Sequence, residues 1–193
     1  MVELGEVCDI KSGGTPSRSE PAYWNGTIPW VGSTVCKDSE VTKAEEFITE
    51  QGLNNSAAKL FPAGTTLIAL VGATIGKTGF LKFASTTNQN IVGLYPKSLE
   101  VLDFTYLFHA AQTLYSEFLK LGEGKFRMAN LSFVRELKIS LPPLATQQAI
   151  VAEIEAEQAL VAANRELIAR FEKKIQATLD RVWGEEKPVL MDA

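Results

Sequence analysis

Residues 146–183 read TQQAIVAEIEAEQALVAANRELIARFEKKIQATLDRVW, and this stretch decides the architecture. Ile154, Val161, Ile168, Ile175 and Val182 recur at seven-residue spacing, Ile150 and Phe171 fill interleaved positions, and neither Pro nor Gly intervenes. One helix over that span runs about 57 Å at 1.5 Å per residue, roughly twice the diameter of a small domain. Much of it therefore needs a partner outside its own globule. A sustained heptad with β-branched residues at one seam position predicts a coiled coil. Glu157 and Asn164 stand where the seam calls for apolar side chains, a placement that costs stability and fixes register. Leu160 and Leu167 form a second stripe, which serves either another partner or packing on the chain's own domain.

Working back toward the N-terminus, the pattern changes from long helix to short alternating pieces. Ser12-Gly13-Gly14-Thr15-Pro16-Ser17 is a loop, because Gly-Gly admits positive φ and Pro16 ends any helix. Ile28-Pro29-Trp30-Val31 predicts an edge strand, since Pro29 cannot donate to a ladder. Thr65 to Val71 is β-branched, apolar and bounded by Gly64 and Gly72, the strongest strand signal in the chain. Ile91 to Tyr95 and Lys138 to Leu141 predict further strands. Asp103 is an apt N-cap for one helix that presents Phe104, Leu107, Phe108, Ala111, Leu114, Tyr115 and Phe118 on one face and ends near Lys120 and Gly122. Residues 122–130 then form an exposed loop, and Pro142-Pro143 stiffens the entry to the long helix. The expected fold class is α+β: a mixed domain at 1–144, a long coiled-coil helix at 145–184 and a short tail at 185–193.

Charge narrows the possible partners. The chain of 193 residues carries a formal net charge of −4, with 13 basic against 14 acidic residues up to Leu144 and 6 against 9 beyond. A large nonspecific phosphate-binding surface needs an excess of Lys and Arg that is missing here, although a local basic face remains open. No apolar run approaches the ~18 residues of a bilayer span, and the start lacks a basic region followed by an apolar one. Cys8 and Cys36 form no Cys-x-x-Cys motif and are expected as reduced thiols of a cytoplasmic protein.

Several motifs that resemble catalytic ones fail on detail. Gly72-Ala73-Thr74-Ile75-Gly76-Lys77-Thr78 follows a strand, but it has three residues between its glycines where a phosphate loop needs four. It predicts a tight turn between strands with Lys77 at its tip. Glu136-Leu137-Lys138 matches the last element of a nuclease metal site, yet no Pro-Asp precedes it. Pro142-Pro143 lacks the polar and aromatic neighbours of an amino-methyltransferase site, being flanked by Leu141 and Leu144. His109 is the single histidine, lies beside an apolar helix face and has no triad partner, so a structural histidine is expected. Ligand spacing for a metal is absent. The chain is expected to be non-catalytic, with no cofactor or metal of its own.

The remaining chemistry is a set of polar loops. Lys11, Ser12, Thr15, Ser17 and Arg18 form one, Lys37 and Lys43 flank another, Lys77 and Lys82 a third, and Lys125 and Arg127 a fourth. Such side chains either stay solvated or contact nucleic acid, where Lys and Arg reach phosphates and Arg, Ser and Thr can meet base edges.

The order of motifs carries more than any one of them. Leu4-Gly5-Glu6-Val7-Cys8-Asp9-Ile10 leads into the Ser12–Ser17 loop and Ile28-Pro29-Trp30-Val31. Ile48-Thr49-Glu50-Gln51-Gly52-Leu53, Gly72-Ala73-Thr74-Ile75-Gly76-Lys77 and Leu141-Pro142-Pro143-Leu144 follow, with Gln147-Gln148 opening the long helix. Over about residues 3–183 this set resembles the specificity subunits of type I restriction-modification systems. The resemblance implies a target-recognition domain that binds one half-site of a bipartite double-stranded DNA target. It also implies a conserved helix that meets a second such helix and the modification (methyltransferase) subunit. S-adenosylmethionine, ATP and Mg would sit on the modification and restriction subunits only.

Family subunits typically carry two recognition domains, and this sequence matches one, with no internal repeat. It is expected to be either a half-sized subunit that forms a homodimer or half of a longer subunit, with Ile150, Ile154, Val161, Asn164, Ile168, Phe171, Ile175 and Val182 facing the dimer mate or another partner helix. The loops at 11–18, 77–82 and 122–130 are the expected DNA contacts, through Lys11, Ser12, Thr15, Ser17, Arg18, Lys77, Lys82, Lys125 and Arg127. A dimeric coiled-coil adaptor whose head binds protein is the alternative from another class, and a standalone enzyme is disfavoured.

Overall fold

The computed structural model describes residues 1–121 and 128–184. Along the chain run β1 (Val2–Glu3), α1 (Leu4–Val7), β2 (Cys8–Ser12), β3 (Trp24–Val31), β4 (Ser39–Val41), β5 (Glu46–Ile48), α2 (Glu50–Asn54), β6 (Thr66–Ala69) and β7 (Thr78–Leu81). Then come β8 (Thr86–Thr87), β9 (Ile91–Pro96), α3 (Phe104–Gln112), α4 (Tyr115–Leu119), α5 (Leu131–Glu136), β10 (Lys138–Ile139) and α6 (Leu144–Trp183). The fold is α+β, as expected. Two compact units are distinguished, Met1–Val151 and Ala152–Ala193, so the first two turns of α6 belong to the first.

A five-stranded sheet of order β2-β9-β6-β7-β4 forms the centre of the first unit, mostly antiparallel with a parallel edge pair at β7–β4. The apolar run in β6 has no polar face because both sides of this sheet are covered. Ile68 and Leu70 join Val92, Leu94, Leu107, Ala111 and Phe118 on one side. Leu67 and Ala69 join Val31, Val41, Phe61, Leu81 and Ile91 on the other. The alternation is the period of two that a strand imposes on its side chains. A second sheet, β5-β3-β8, and a two-stranded pair, β1-β10, complete the unit.

Three sequence expectations are corrected. The strand containing Pro29 is central, since β3 lies between β5 and β8. Proline is tolerated there because β8 pairs only at Trp30 and Val31, and the Pro29 carbonyl accepts from the Ser85 and Thr86 hydroxyls. The helix begun by Asp103, whose carboxylate caps Thr105 and Tyr106 at 2.8 Å each, breaks near Thr113 into α3 and α4. The break lets Phe118 turn inward, where it is fully buried and meets Phe133 edge-on at 5.2 Å. The strand expected from Lys138 to Leu141 stops at Ile139, because its partner β1 is two residues long and the Ser140 carbonyl is taken by the Tyr106 hydroxyl at 3.0 Å. The expected C-cap at Gly122 and the tail at 185–193 lie outside the described residues.

The long helix is a single element of 40 residues, about 60 Å at 1.5 Å per residue. It starts directly after Pro142-Pro143, and its first turn is fastened by Gln147. That side chain is fully buried, accepts from the Asp103 amide at 2.9 Å, and donates to the carbonyls of Val101 at 2.9 Å and Pro142 at 2.8 Å. Cys8 and Cys36 are free and buried, and burial pushes each thiol up to about 12.

Candidate nucleic-acid interface

Strand direction brings distant loops to one end of the five-stranded sheet. β2 ends there at Ser12, opposite Val92 near the start of β9, and β6 ends there at Ala69, opposite Ile91. β7 starts there at Thr78, and β4 starts beside it at Ser39. The loop after Ser12, the Asn88-Gln89-Asn90 turn, the Gly72–Lys77 turn and the Cys36–Asp38 approach to β4 therefore share one rim. The chain returns to it at Met128, which bridges Val71, and at Ala129, whose amide donates to the Leu70 carbonyl at 2.9 Å.

These loops are rigidly seated. Gly13 and Gly14 donate to the carbonyls of Ile91 and Thr87 at 3.0 and 2.8 Å, and a Cβ on Gly14 would meet the Ala57 and Ala58 backbone at 2.4 and 2.5 Å. From the other side the Trp30 indole donates to the Gly14 carbonyl and the Trp24 indole to that of Ser17, at 3.2 and 3.0 Å. The 72–77 segment is the predicted tight turn, with Gly72 and Gly76 at φ 73° and 75°. A Cβ on Gly76 would come within 2.7 Å of Phe118, so glycine is required there twice over.

The predicted contact residues separate into groups. Ser12 and Thr15 lie at the β2 side of the rim and Lys77 at its β7 side, Lys11 lies one residue inside β2, and Ser17 is exposed on the same loop as Thr15. Thr15 and Ser12 converge on a residue the sequence reading did not single out: the Thr15 hydroxyl donates to Gln89 Oε1 at 2.6 Å and the Ser12 hydroxyl to the Gln89 carbonyl at 3.3 Å. Gln89 is exposed, and this contact fixes which way its amide faces. The polar run Thr86-Thr87-Asn88-Gln89-Asn90 before an apolar strand was the available signal. Arg18 sits over the second sheet, with its guanidinium 3.6 Å from the Trp24 ring centroid and 5.0 Å from that of Trp30, and forks onto Glu46. Lys82 lies at the far end of β7, paired with Glu40 at 2.9 Å. Lys125 and Arg127 lie outside the described residues.

Lys77 is also partnered. Its ammonium lies 2.7 Å from Asp38 and 4.3 Å from the Tyr115 ring centroid. Asp38 adopts φ 57° and accepts from the Thr78 amide and hydroxyl at 3.0 and 3.1 Å. Burial raises its carboxyl, but hydrogen bonds from Lys77 and Thr78 outweigh this and hold it below the usual carboxylate range. The hydrogen bond to Asp38 in turn raises Lys77. Beside these pairs opens a cleft of about 390 Å³ lined by Trp30, Lys37, Glu40, Lys43, Glu45 and Glu46, among others. It is too small for a duplex, whose major groove alone is about 12 Å wide.

On α6, Val161, Asn164, Ile168, Phe171, Ile175 and Val182 are exposed, as are Leu160 and Leu167, while Ile150 is 36% exposed and Ile154 is half-buried. Among the described residues no cluster of three or more His, Cys, Asp or Glu could hold a metal ion, and no helix is long and apolar enough to cross a membrane.

Comparison with known proteins agrees with this architecture. A family model described as the type I restriction modification DNA specificity domain matches residues 1–173. The chain is 28% identical over 186 residues to the type I restriction enzyme MjaIX specificity subunit of Methanocaldococcus jannaschii, covering 94% of this chain and 42% of that protein. It is 28% identical over 155 residues to the EcoR124I/EcoR124II specificity subunit of Escherichia coli, covering 77% and 38%. Among solved structures, a chain from a study of complex assembly and conformational transition in a type I R-M system superposes with a TM-score of 0.73 at 25% identity, covering 92% of this chain and 42% of that one. The HsdS subunit from Thermoanaerobacter tengcongensis superposes with a TM-score of 0.67 at 25% identity, covering 93% and 43%. This chain thus spans less than half the length of the relatives it matches.

Proposed function

The chain belongs to the type I restriction modification DNA specificity domain family, and from that premise we propose that it is a DNA-recognition subunit reading one half-site of a bipartite target. The convergence of the 12–15, 72–77, 88–90 and 128–129 segments on one sheet end carries this reading. Rigid polar loops on a fixed scaffold are what base readout requires, because hydrogen bonds to base edges discriminate only if donors are held in place. Gln89, oriented by Thr15, joins Lys11, Ser12, Thr15, Ser17, Lys77, Lys125 and Arg127 among the proposed contacts. Arg18, Lys77 and Lys82 serve only if they leave their carboxylate partners.

The chain supplies recognition, and the chemistry belongs to others. A modification subunit brings S-adenosylmethionine and methylates the DNA, and a restriction subunit brings ATP, Mg and cleavage, all in the cytoplasm. The exposed α6 stripe is the proposed docking surface for a second helix and for the modification subunit, with a homodimer as one form of that pairing. One recognition unit makes few phosphate contacts, so it binds weakly alone and tightens when a second unit is coupled to it.

The reading is tested with the chain bound to its modification subunit. Methylation mapping identifies a target, and binding is then compared on target and scrambled duplexes between about 50 and 200 mM salt. Recognition predicts preference for the target and an affinity that falls steeply with salt. Equal, salt-insensitive binding to both duplexes would favour the protein-adaptor alternative.

A further inference from the structure

Three cations expected to reach DNA come from two distant parts of the chain, Arg18 from one and Lys77 and Lys82 from the other, yet all three are held by carboxylates from one short stretch. Asp38 holds Lys77, Glu40 holds Lys82 and Glu46 holds Arg18. Asp38 immediately precedes β4, Glu40 is on β4, and Glu46 opens β5. β4 lies at the sheet edge beside β7, so Asp38 and Glu40, two residues apart, meet Lys77 and Lys82 at the two ends of β7. Glu40 and Glu46 both line the cleft that also holds Lys37 and Lys43. Among the described residues Lys37 and Lys43 make no ion pair, so the pairing follows position and not every nearby cation is neutralised.

Such exposed pairs contribute little to folding, typically below about 1 kcal/mol each. Their effect on polyanion binding is different in kind. A paired Lys or Arg has no net charge to exchange for condensed counterions, and counterion release supplies nearly all nonspecific DNA affinity. A phosphate must displace the carboxylate before it gains that contact.

We propose that the 38–46 segment is an acidic clasp that withholds Arg18, Lys77 and Lys82 from phosphate, lowering nonspecific affinity so that discrimination rests on the polar rim. This rests on the recognition reading above for its purpose, but the clasp itself is testable on any polyanion. Selectivity is a ratio, and weakening the wrong complex raises it as surely as strengthening the right one.

The test uses Glu40→Gln and Glu46→Gln in the full chain, because these carboxylates contact only side chains whereas Asp38 also anchors the Thr78 amide. Glu45→Gln is the control, an exposed acid of the same cleft outside the three pairs. The probes are a scrambled duplex and a heparin column. The clasp predicts that each paired-acid variant steepens the log affinity against log salt slope on the duplex by about 0.9, and that it elutes from heparin at higher salt than both wild type and Glu45→Gln. Adding Lys82→Ala to Glu40→Gln, which restores the wild-type net charge, should abolish the gain. Equal gains in Glu45→Gln and Glu40→Gln, or a gain that survives Lys82→Ala, would overturn the clasp. If heparin behaves as predicted but no duplex is preferred over a scrambled one, the clasp stands and the recognition reading fails.

Discussion

At the level of single side chains, the loop after Ser12 is defined by where a side chain cannot fit. Gly14 faces the Ala57 and Ala58 backbone, which has no rotamer to change, so Gly14→Ala must displace the loop or strand the Gly14–Thr87 hydrogen bond. Overpacking of this kind costs typically about 1–3 kcal/mol, and the variant should show that loss as a lower denaturant midpoint with unchanged slope. Gly72 has open space around it, so the same substitution there meets only the strain of positive φ. Ser12-Gly13-Gly14-Thr15 was readable as a loop from composition, because Gly and Pro carry their backbone meaning locally. Gln89 was not, because its role comes from Thr15, which is 74 residues away in sequence. The carboxylate partners of Arg18, Lys77 and Lys82 were hidden for the same reason: a charge pattern shows the cations, while pairing is decided by which strands become neighbours.

Strands and helices show the same division between local and non-local information. The helix at 146–183 was legible because a seven-residue apolar spacing without Pro or Gly is written along the chain itself, and the observed helix begins only two residues earlier. Pro29 misled because edge or centre is a property of the sheet. Gln147 belongs to both cases. It stands seven residues before Ile154, in phase with the seam, yet it is spent inside the first unit on Asp103, Val101 and Pro142. Through Asp103 it ties the first turn of α6 to the N-cap of α3. Gln147→Leu keeps the bulk but removes the hydrogen-bond partner of one amide and two carbonyls in a part-buried setting, at ~1 kcal/mol or more per group. The expected result is a loss of about 3 kcal/mol, measured by chemical denaturation. Farther along, Ile168 is 57% exposed, so Ile168→Glu removes no core contact. The first unit should stay folded by circular dichroism while light scattering shows loss of the proposed self-association or modification-subunit complex. An unchanged assembly would remove the stripe from the docking surface.

Across the full chain and its partners, the proposal that this chain reads one half-site raises the question of what would supply the second. The chain covers 42% of the M. jannaschii relative's length, which leaves room there for a second unit of similar size. If that unit is another copy of this chain, a two-fold axis relates the two rims, and protein symmetry imposes inverted half-sites on the DNA. The charge distribution on α6 favours an antiparallel arrangement of two copies. Its first half carries Glu153, Glu155 and Glu157 and no Lys or Arg, whereas its later half carries five basic residues against Glu166, Glu172 and Asp180, so antiparallel copies set a net negative half against a net positive one. Asn164 and Glu157 in the seam then restrict the register of that pairing. In cells where this chain is the sole specificity partner of its modification subunit, methylation mapping should return a palindromic bipartite motif with one spacer length. An asymmetric motif would mean that a different recognition domain occupies the second position, with α6 pairing to a helix other than its own copy.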